Sequence, residues 1–205
     1  MPTDEDLLAR WSEGDRLAGN DLFRRHYDRL RRFFEGKAHD DADELIQSTF
    51  FALVRYREQL AGASSFRAYL FTVAKNELYR TLRRRYKNAD VDFAVTSLCD
   101  LQTTAGSKMV RAREKQVLLE ALRSLPLDQQ VLIELHYWEG ITTDGLAPMF
   151  GVAPATIRTR LFRARKRLRT QMDAFEGRIT EGLDEAALER WARDLPGAQS
   201  ASASM

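Results

Sequence analysis

The amino-acid sequence predicts an all-α protein in which a linker joins two small helical domains. Apolar residues recur at helical spacing in nearly every segment before residue 88. Residues 89–108, which carry Thr, Ser and Gly, interrupt this periodicity, and from residue 109 it resumes. The predicted domains are therefore residues 1–88 and 109–172, with the linker over 89–108 and an acidic extension over 173–205.

The composition is typical of a soluble globular protein. Of the 205 residues, 44% are apolar and 30% are charged, and the net charge is only +2. Cys99 is the single cysteine, which excludes internal disulfides and multi-cysteine zinc sites. The amino terminus is acidic and lacks the apolar run of a signal peptide, and no segment approaches the roughly 18 apolar residues of a membrane span. These features predict a cytoplasmic protein.

Three amphipathic helices are predicted before residue 59. Thr3 can cap a short first helix, a second begins after Gly14 and runs to about Glu35, and a third spans Asp41 to about Glu58. On a helical wheel, the apolar arc of the third helix comprises Leu45, Ile46, Thr49, Phe50 and Leu53. The opposite arc comprises Glu44, Gln47, Ser48, Phe51 and Arg55. An exposed phenyl ring beside charged groups predicts a partner surface, although single exposed apolar residues are common.

The fourth predicted helix, Phe66–Lys87, combines cations with aromatic rings. Ser64 or Ser65 can cap it, and from Lys75 onward it holds six basic residues and one acid. Its polar stripe comprises Asn76, Tyr79, Arg80 and Arg83. Rings between cations suit single-stranded nucleic acid, because bases stack on the rings while phosphates meet the cations. Tyr69 and Phe71 could instead be core residues.

The second domain is predicted to end in a helix-turn-helix. Helices are expected over 109–124, over 129–139 with Asp128 as the N-cap, and from Thr142 or Thr143 to Phe150. Gly151 then provides a turn, and Pro154 opens the last helix. That helix carries seven cations and no acid between residues 158 and 169. Its apolar stripe comprises Ile157, Leu161, Ala164 and Leu168. A basic second helix of this kind predicts binding to duplex DNA in the major groove.

The order of these features resembles that of bacterial extracytoplasmic-function (ECF) sigma factors, the small promoter-specificity subunits of RNA polymerase. Sigma region 2.2 is similar to DADELIQSTFFALVRYR, and regions 2.3 and 2.4 are similar to FRAYLFTVAKNELYRTLRRR. Region 4 is similar to LRSLPLDQQVLIELHYWEGITTDGLAPMFGVAPATIRTRLFRARKRL. The resemblance covers about residues 4–172.

The resemblance implies a protein that binds core RNA polymerase, through the β′ clamp coiled coil and the β flap, and directs promoter-specific initiation. Its implied polymerase-binding residues are Asp43, Glu44, Gln47, Ser48, Phe51 and Arg55. The residues implied to bind the melted -10 element are Lys75, Asn76, Tyr79, Arg80, Arg83, Arg84 and Arg85. Those implied to bind the -35 element are Arg158, Thr159, Arg160, Arg163, Arg165, Lys166 and Arg167. No cofactor is implied.

Ser48 departs from the family pattern, which usually has an acidic residue there. Some groups with this substitution are activated by Ser/Thr kinases rather than by release from an anti-sigma factor. A phosphate adds about −1.5 to −2 charge and would replace the missing carboxylate. Ser48 and Thr49 are therefore both candidate phosphorylation sites, and a kinase or an anti-sigma factor is a possible partner.

Other function classes are less consistent with the sequence. His26, His39 and His136 are scattered, and no glycine-rich phosphate loop follows a strand, so no enzyme or metal site is predicted. The acidic run at 40–44 is typical of a helix start. The remaining alternative is a stand-alone helix-turn-helix regulator with an amino-terminal helical sensor domain, which would bind duplex DNA without polymerase. The extension is predicted to contain a helix over 184–194 with an apolar face.

Overall fold

A computed structural model confirms the all-α fold and describes residues 1–57, 65–86, 91–101 and 113–176. The chain forms two compact units, Met1–Lys87 and Asn88–Met205. Within the described ranges there is no β-strand, and the one isolated β-bridge joins Ser97 to Pro126.

The first unit contains four α-helices around an aromatic core. They are α1 (Asp4–Ser12), α2 (Arg16–Glu35), α3 (Ala42–Arg55) and α4 (Phe66–Arg85), with a 3-10 turn, His39–Asp41, before α3. Thr3 caps α1, as predicted, and forms a full capping box with Asp6, while Ser65 caps α4. Phe34, Phe66 and Phe71 are completely buried. Phe71 is thus a core residue.

Asp4 fastens α1 to α2 through an interaction that the sequence pattern does not reveal. Its carboxylate lies 2.7 Å from Nε2 of the buried His26 and accepts a 2.7 Å hydrogen bond from Arg25. Burial by itself raises the pKa of Asp4, but the His26 hydrogen bond and charge, with those of Arg25, outweigh burial and lower it to about 2. The ionised carboxylate therefore stabilises the folded state.

The free energy of unfolding should depend on Asp4 in a pH-dependent way. Because the folded pKa of Asp4 lies below its unfolded value of 3.8, its contribution is present above about pH 5 and is lost as the pH falls towards 2. We expect Asp4→Asn to cost about 1–2 kcal/mol at pH 7, since solvent screens part of the interaction, and much less at pH 2. Urea denaturation at pH 7, 4 and 2 measures this difference. Glu5→Gln, at an exposed neighbouring acid, is the charge-matched control and should change the free energy of unfolding little.

The second unit contains α5 (Leu98–Leu101), α6 (Arg113–Arg123), α7 (Leu127–Ile133), α8 (Thr143–Phe150) and α9 (Pro154–Glu176). Its core is an apolar cluster from the loop after α6 and from α6, α7 and α9, comprising Val117, Leu118, Ala121, Leu122, Leu125, Ile133, Ala164, Leu168 and Met172. The predicted helix 184–194 lies outside the described residues.

The structure of this unit differs from the sequence-based expectations at two places. Asp128 is not an N-cap, because α7 already begins at Leu127, and a π-helical turn, Glu134–Trp138, continues it. Residues 91–101 do not simply span two domains. They pack on the second unit, where Phe93 and Leu98 are buried and the carbonyls of Phe93 and Thr96 accept 3.0 Å hydrogen bonds from the backbone at the start of α7. The apolar content of the predicted linker thus serves this unit's own core.

Candidate polymerase and nucleic-acid interfaces

The helix-turn-helix is built by local backbone signals. The Thr142 side chain caps α8 by accepting a hydrogen bond from the Gly145 amide, and Gly151 ends α8 with a left-handed φ of 63°. Pro148 lies inside α8, and this eight-residue helix is held by the buried Leu146 and Met149. Pro154 then begins α9, as predicted. The short α8 therefore packs against α9 and leaves the opposite side of α9 exposed.

The apolar stripe of α9 is buried and its cations lie outside. Ile157, Leu161, Ala164 and Leu168 are at most 5% exposed. The exposed residues among the predicted -35 contacts are Arg158, Thr159, Arg163, Lys166 and Arg167, while Arg160 and Arg165 are half-buried. The Thr159 hydroxyl donates a 3.2 Å hydrogen bond to the Ala155 carbonyl. The structure thus presents a continuous basic face.

Phe162 is a candidate functional residue that the apolar pattern of the sequence did not single out. Its side chain is 61% exposed. It follows the outward-facing Thr159 by three residues and precedes Lys166 by four, so the three share one face. Its position on the helical wheel, away from the buried stripe, is the sequence feature from which its exposure could have been predicted.

Two of the predicted -10 residues on α4 are not exposed. Asn76, Arg80, Arg83, Arg84 and Arg85 face solvent, but Lys75 is only 9% exposed and Tyr79 only 7%. The Lys75 ammonium lies over the Tyr79 ring, 5.0 Å from its centroid. The physical reason is that α4 packs against α1, α2 and α3, so its buried sector is wider than one apolar stripe. Lys75 and Tyr79 therefore offer little surface to promoter DNA in this structure, and their contact with the -10 element stays a prediction.

The arginines at the end of α4 lie beside acids at the start of α3. Arg85 Nη2 is 3.0 Å from Asp41 Oδ2, and Arg84 Nη2 is 3.8 Å from Glu44 Oε1. Arg80 forms an ion pair with Glu77 within α4. These cations are accessible, but they are also partnered within the unit.

The predicted polymerase-facing arc of α3 is largely accessible. Phe51 is 64% exposed, and Val54 extends the apolar surface with 50% exposure. The remaining exposed residues of the arc are Asp43, Glu44, Gln47 and Arg55. Ser48 is half-buried at its edge. The arc combines acids with an apolar centre.

Thr49 is a poor phosphorylation site. It is completely buried, and its hydroxyl donates a 2.7 Å hydrogen bond to the Leu45 carbonyl. A phosphate there would have to enter the helical core. Of the two candidates, Ser48 alone retains surface exposure.

The described ranges contain neither a candidate metal site nor a candidate membrane span. No group of three or more His, Cys, Asp or Glu side chains could hold a metal ion in that part of the chain. None of its helices has the length and hydropathy that crossing a bilayer requires.

Two protein-family models match the chain. The model for Sigma-70 region 2 matches residues 22–88, and the model for Sigma-70, region 4 matches residues 115–168. The ECF RNA polymerase sigma-E factor of Haemophilus influenzae is 27% identical over 184 residues, covering 83% of this chain and 95% of that protein. The chain belongs to the ECF sigma factors of the sigma-70 family. This sigma factor is also 29% identical over 174 residues to the ECF sigma factor SigM of Mycobacterium tuberculosis, covering 81% of this chain and 83% of SigM.

Solved structures of sigma factors share the fold. The structure of CnrH in complex with the cytosolic domain of CnrY matches with a TM-score of 0.61 and 23% identity, over 83% of this chain and 97% of the other. The structure of RpoE in complex with the anti-sigma factor NepR from Bartonella quintana matches with a TM-score of 0.56 and 25% identity, over 71% of this chain and 91% of the other. Sigma factors bind core RNA polymerase and promoter DNA in transcription initiation. The family is a family of transcription factors and is not known for enzymatic activity.

Proposed function

We propose that this sigma factor binds core polymerase through the exposed arc of α3, the -10 element through α4 and the -35 element through α9. The observation that carries the proposal is the division of α9 into a fully buried apolar stripe and an exposed basic face. A helix with this division fits the major groove when a preceding short helix supports it.

The proposed roles of the α9 side chains differ with their chemistry. Arg158, Thr159 and Arg163 contact base edges, because arginine forms bidentate hydrogen bonds with guanine. Phe162, between them, contacts a thymine methyl group. The more peripheral cations, Arg160, Arg165, Lys166 and Arg167, neutralise phosphates.

The proposed -10 surface is narrower than the one expected from sequence. It rests on the exposed Asn76 and Arg80, with Arg83, Arg84 and Arg85 contacting phosphates. The buried Lys75 and Tyr79 are not included.

Transcription with core polymerase tests the proposal. Run-off synthesis from a pool of fragments of the source genome, with and without this protein, should give discrete new transcripts only when both proteins are present. Tight binding of the protein alone to duplex DNA, with no polymerase-dependent transcripts, would instead support a stand-alone helix-turn-helix regulator.

Ser48 is the proposed point of control. It lies at the edge of the polymerase-facing arc, one turn after Glu44, where an added phosphate would increase the negative charge offered to a basic polymerase surface. A Ser/Thr kinase is the partner that this site requires. Control by an anti-sigma factor is the alternative, since the RpoE structure contains one.

Ser48→Asp should raise the affinity for core polymerase and the run-off yield by about 2- to 5-fold, because one added surface charge contributes up to about 1 kcal/mol. Fluorescence anisotropy with labelled protein measures the affinity. Ser48→Ala should have the same affinity for core polymerase and the same run-off yield as the unmodified protein. Thr49→Asp should lower the melting temperature without activating, because its carboxylate would be buried. No gain with Ser48→Asp in either assay would contradict phosphorylation control.

A further inference from the structure

Two ion pairs connect the start of α3, the helix proposed to bind polymerase, with the end of α4, the helix proposed to contact promoter phosphates. Asp41, at the start of α3, lies 3.0 Å from Arg85, at the end of α4, and Glu44 lies 3.8 Å from Arg84. The two helices pack together, so the pairs bridge their ends. We call these four residues the α3–α4 latch.

The two pairs differ in their environment. The Asp41 and Arg85 side chains are 22% and 36% exposed, whereas Glu44 and Arg84 are 68% and 64% exposed. Oδ2 of Asp41 is shielded from solvent and receives no hydrogen bond of good geometry within the described part of the chain. The Arg85 charge therefore compensates that oxygen electrostatically, and the more exposed Glu44–Arg84 pair adds a weaker attraction.

An arginine held beside a carboxylate attracts a phosphate less than a separate arginine does. A promoter phosphate must compete with Asp41 for Arg85 and with Glu44 for Arg84. A basic polymerase surface that binds these acids removes the competition. The same interaction that holds polymerase would then strengthen the phosphate contacts.

We propose that the α3–α4 latch restrains Arg84 and Arg85 in the free protein and that polymerase binding to Asp41 and Glu44 releases them for promoter DNA. This inference rests on the proposed roles of α3 and α4. By linkage, DNA phosphates on the two arginines strengthen polymerase binding by the same factor. The latch thus lowers DNA binding by the sigma factor alone and couples the two binding events.

The experiment measures binding of the full-length free protein to a fluorescein-labelled, mixed-sequence single-stranded DNA oligonucleotide at several salt concentrations. Asp41→Asn with Glu44→Gln should raise the affinity several-fold. It should also steepen the dependence of log K on log salt by about 1.4, because two further phosphate contacts form at about 0.7 each. Glu44→Gln alone should give less than half of this change, because it removes only the longer and more exposed of the two ion pairs.

A matched pair of neutralised acids is the control. Asp28→Asn with Asp40→Asn removes the same charge from exposed positions of the first unit. It should raise the affinity through reduced repulsion without the full change in salt dependence. The gain from Asp41→Asn with Glu44→Gln should disappear when Arg84→Gln and Arg85→Gln are also present.

An equal salt dependence for the two neutralised pairs, or a gain that persists without the arginines, would overturn the latch. Failure of the underlying proposal gives a different result. If α4 does not contact promoter phosphates, Arg84→Gln with Arg85→Gln would leave the salt dependence of holoenzyme binding to a transcribed promoter fragment unchanged. The salt dependence of holoenzyme binding could instead fall while Asp41→Asn with Glu44→Gln leaves DNA binding by the free protein unchanged. That result would support the phosphate contacts and contradict the latch alone.

Discussion

Arg163→Ala will weaken holoenzyme binding to the -35 element by about 1–3 kcal/mol and will relax the base preference at one position. The Arg163 side chain is exposed on α9, whose backbone is fixed by the buried Leu161 and Ala164 on either side. Alanine removes the bidentate donor without disturbing that packing. The measurement is the affinity of the holoenzyme for promoter duplexes that carry each of the four bases at each -35 position.

Lys166→Ala is the control for this prediction, because a phosphate contact carries no sequence information. It should weaken all duplexes equally and reduce the salt dependence by about 0.9. Phe162→Ala should lose the preference for one thymine. Replacing that thymine with deoxyuridine, which lacks the methyl group, should weaken binding by the wild-type protein but not binding by this variant. A uniform loss across all base variants with Arg163→Ala would reassign Arg163 to a phosphate.

Gly19→Ala will destabilise the first unit by about 1–3 kcal/mol, although helix propensity alone predicts a gain of about 1 kcal/mol. A Cβ atom at Gly19 would lie 2.5 Å from Nε1 of Trp11, whose ring is buried between α1 and α2. The Trp11 ring also packs edge-on against Phe23, at a centroid distance of 5.2 Å, so it has little freedom to move. Urea denaturation followed by circular dichroism measures the change in the free energy of unfolding.

Asn20→Ala provides the matched comparison, because Asn20 is the exposed neighbour of Gly19 in the same helix. This variant should keep or slightly raise the stability, as propensity predicts. If Gly19→Ala were also stabilising, the close packing of α1 on α2 at Trp11 would be wrong.

Features set by neighbouring residues were predictable from sequence. The Thr3 capping box, the Gly151 turn and the start of α9 at Pro154 each depend on a few adjacent residues. The buried stripe of α9 followed from helical periodicity, and the wheel of α3 correctly separated the buried Thr49 from the more exposed Ser48. The family resemblance rested on such local stretches and was confirmed by both family models.

Features that depend on several packed helices were not predictable in this way. Lys75 and Tyr79 are polar on a one-helix wheel, yet both are buried because α4 contacts three other helices. Asp4 and His26 are 22 residues apart in the chain and become partners only when α1 packs on α2.

The same distinction applies to the charges of the α3–α4 latch. The sequence by itself determined that acids begin α3 and that arginines end α4, because composition and periodicity reside in single segments. Only the tertiary structure decided that Asp41 meets Arg85 and that Glu44 meets Arg84, since the packing of α3 against α4 sets which ends lie together. Ion pairs across helices depend on distance in space, and a periodic pattern along one helix contains no information about that distance.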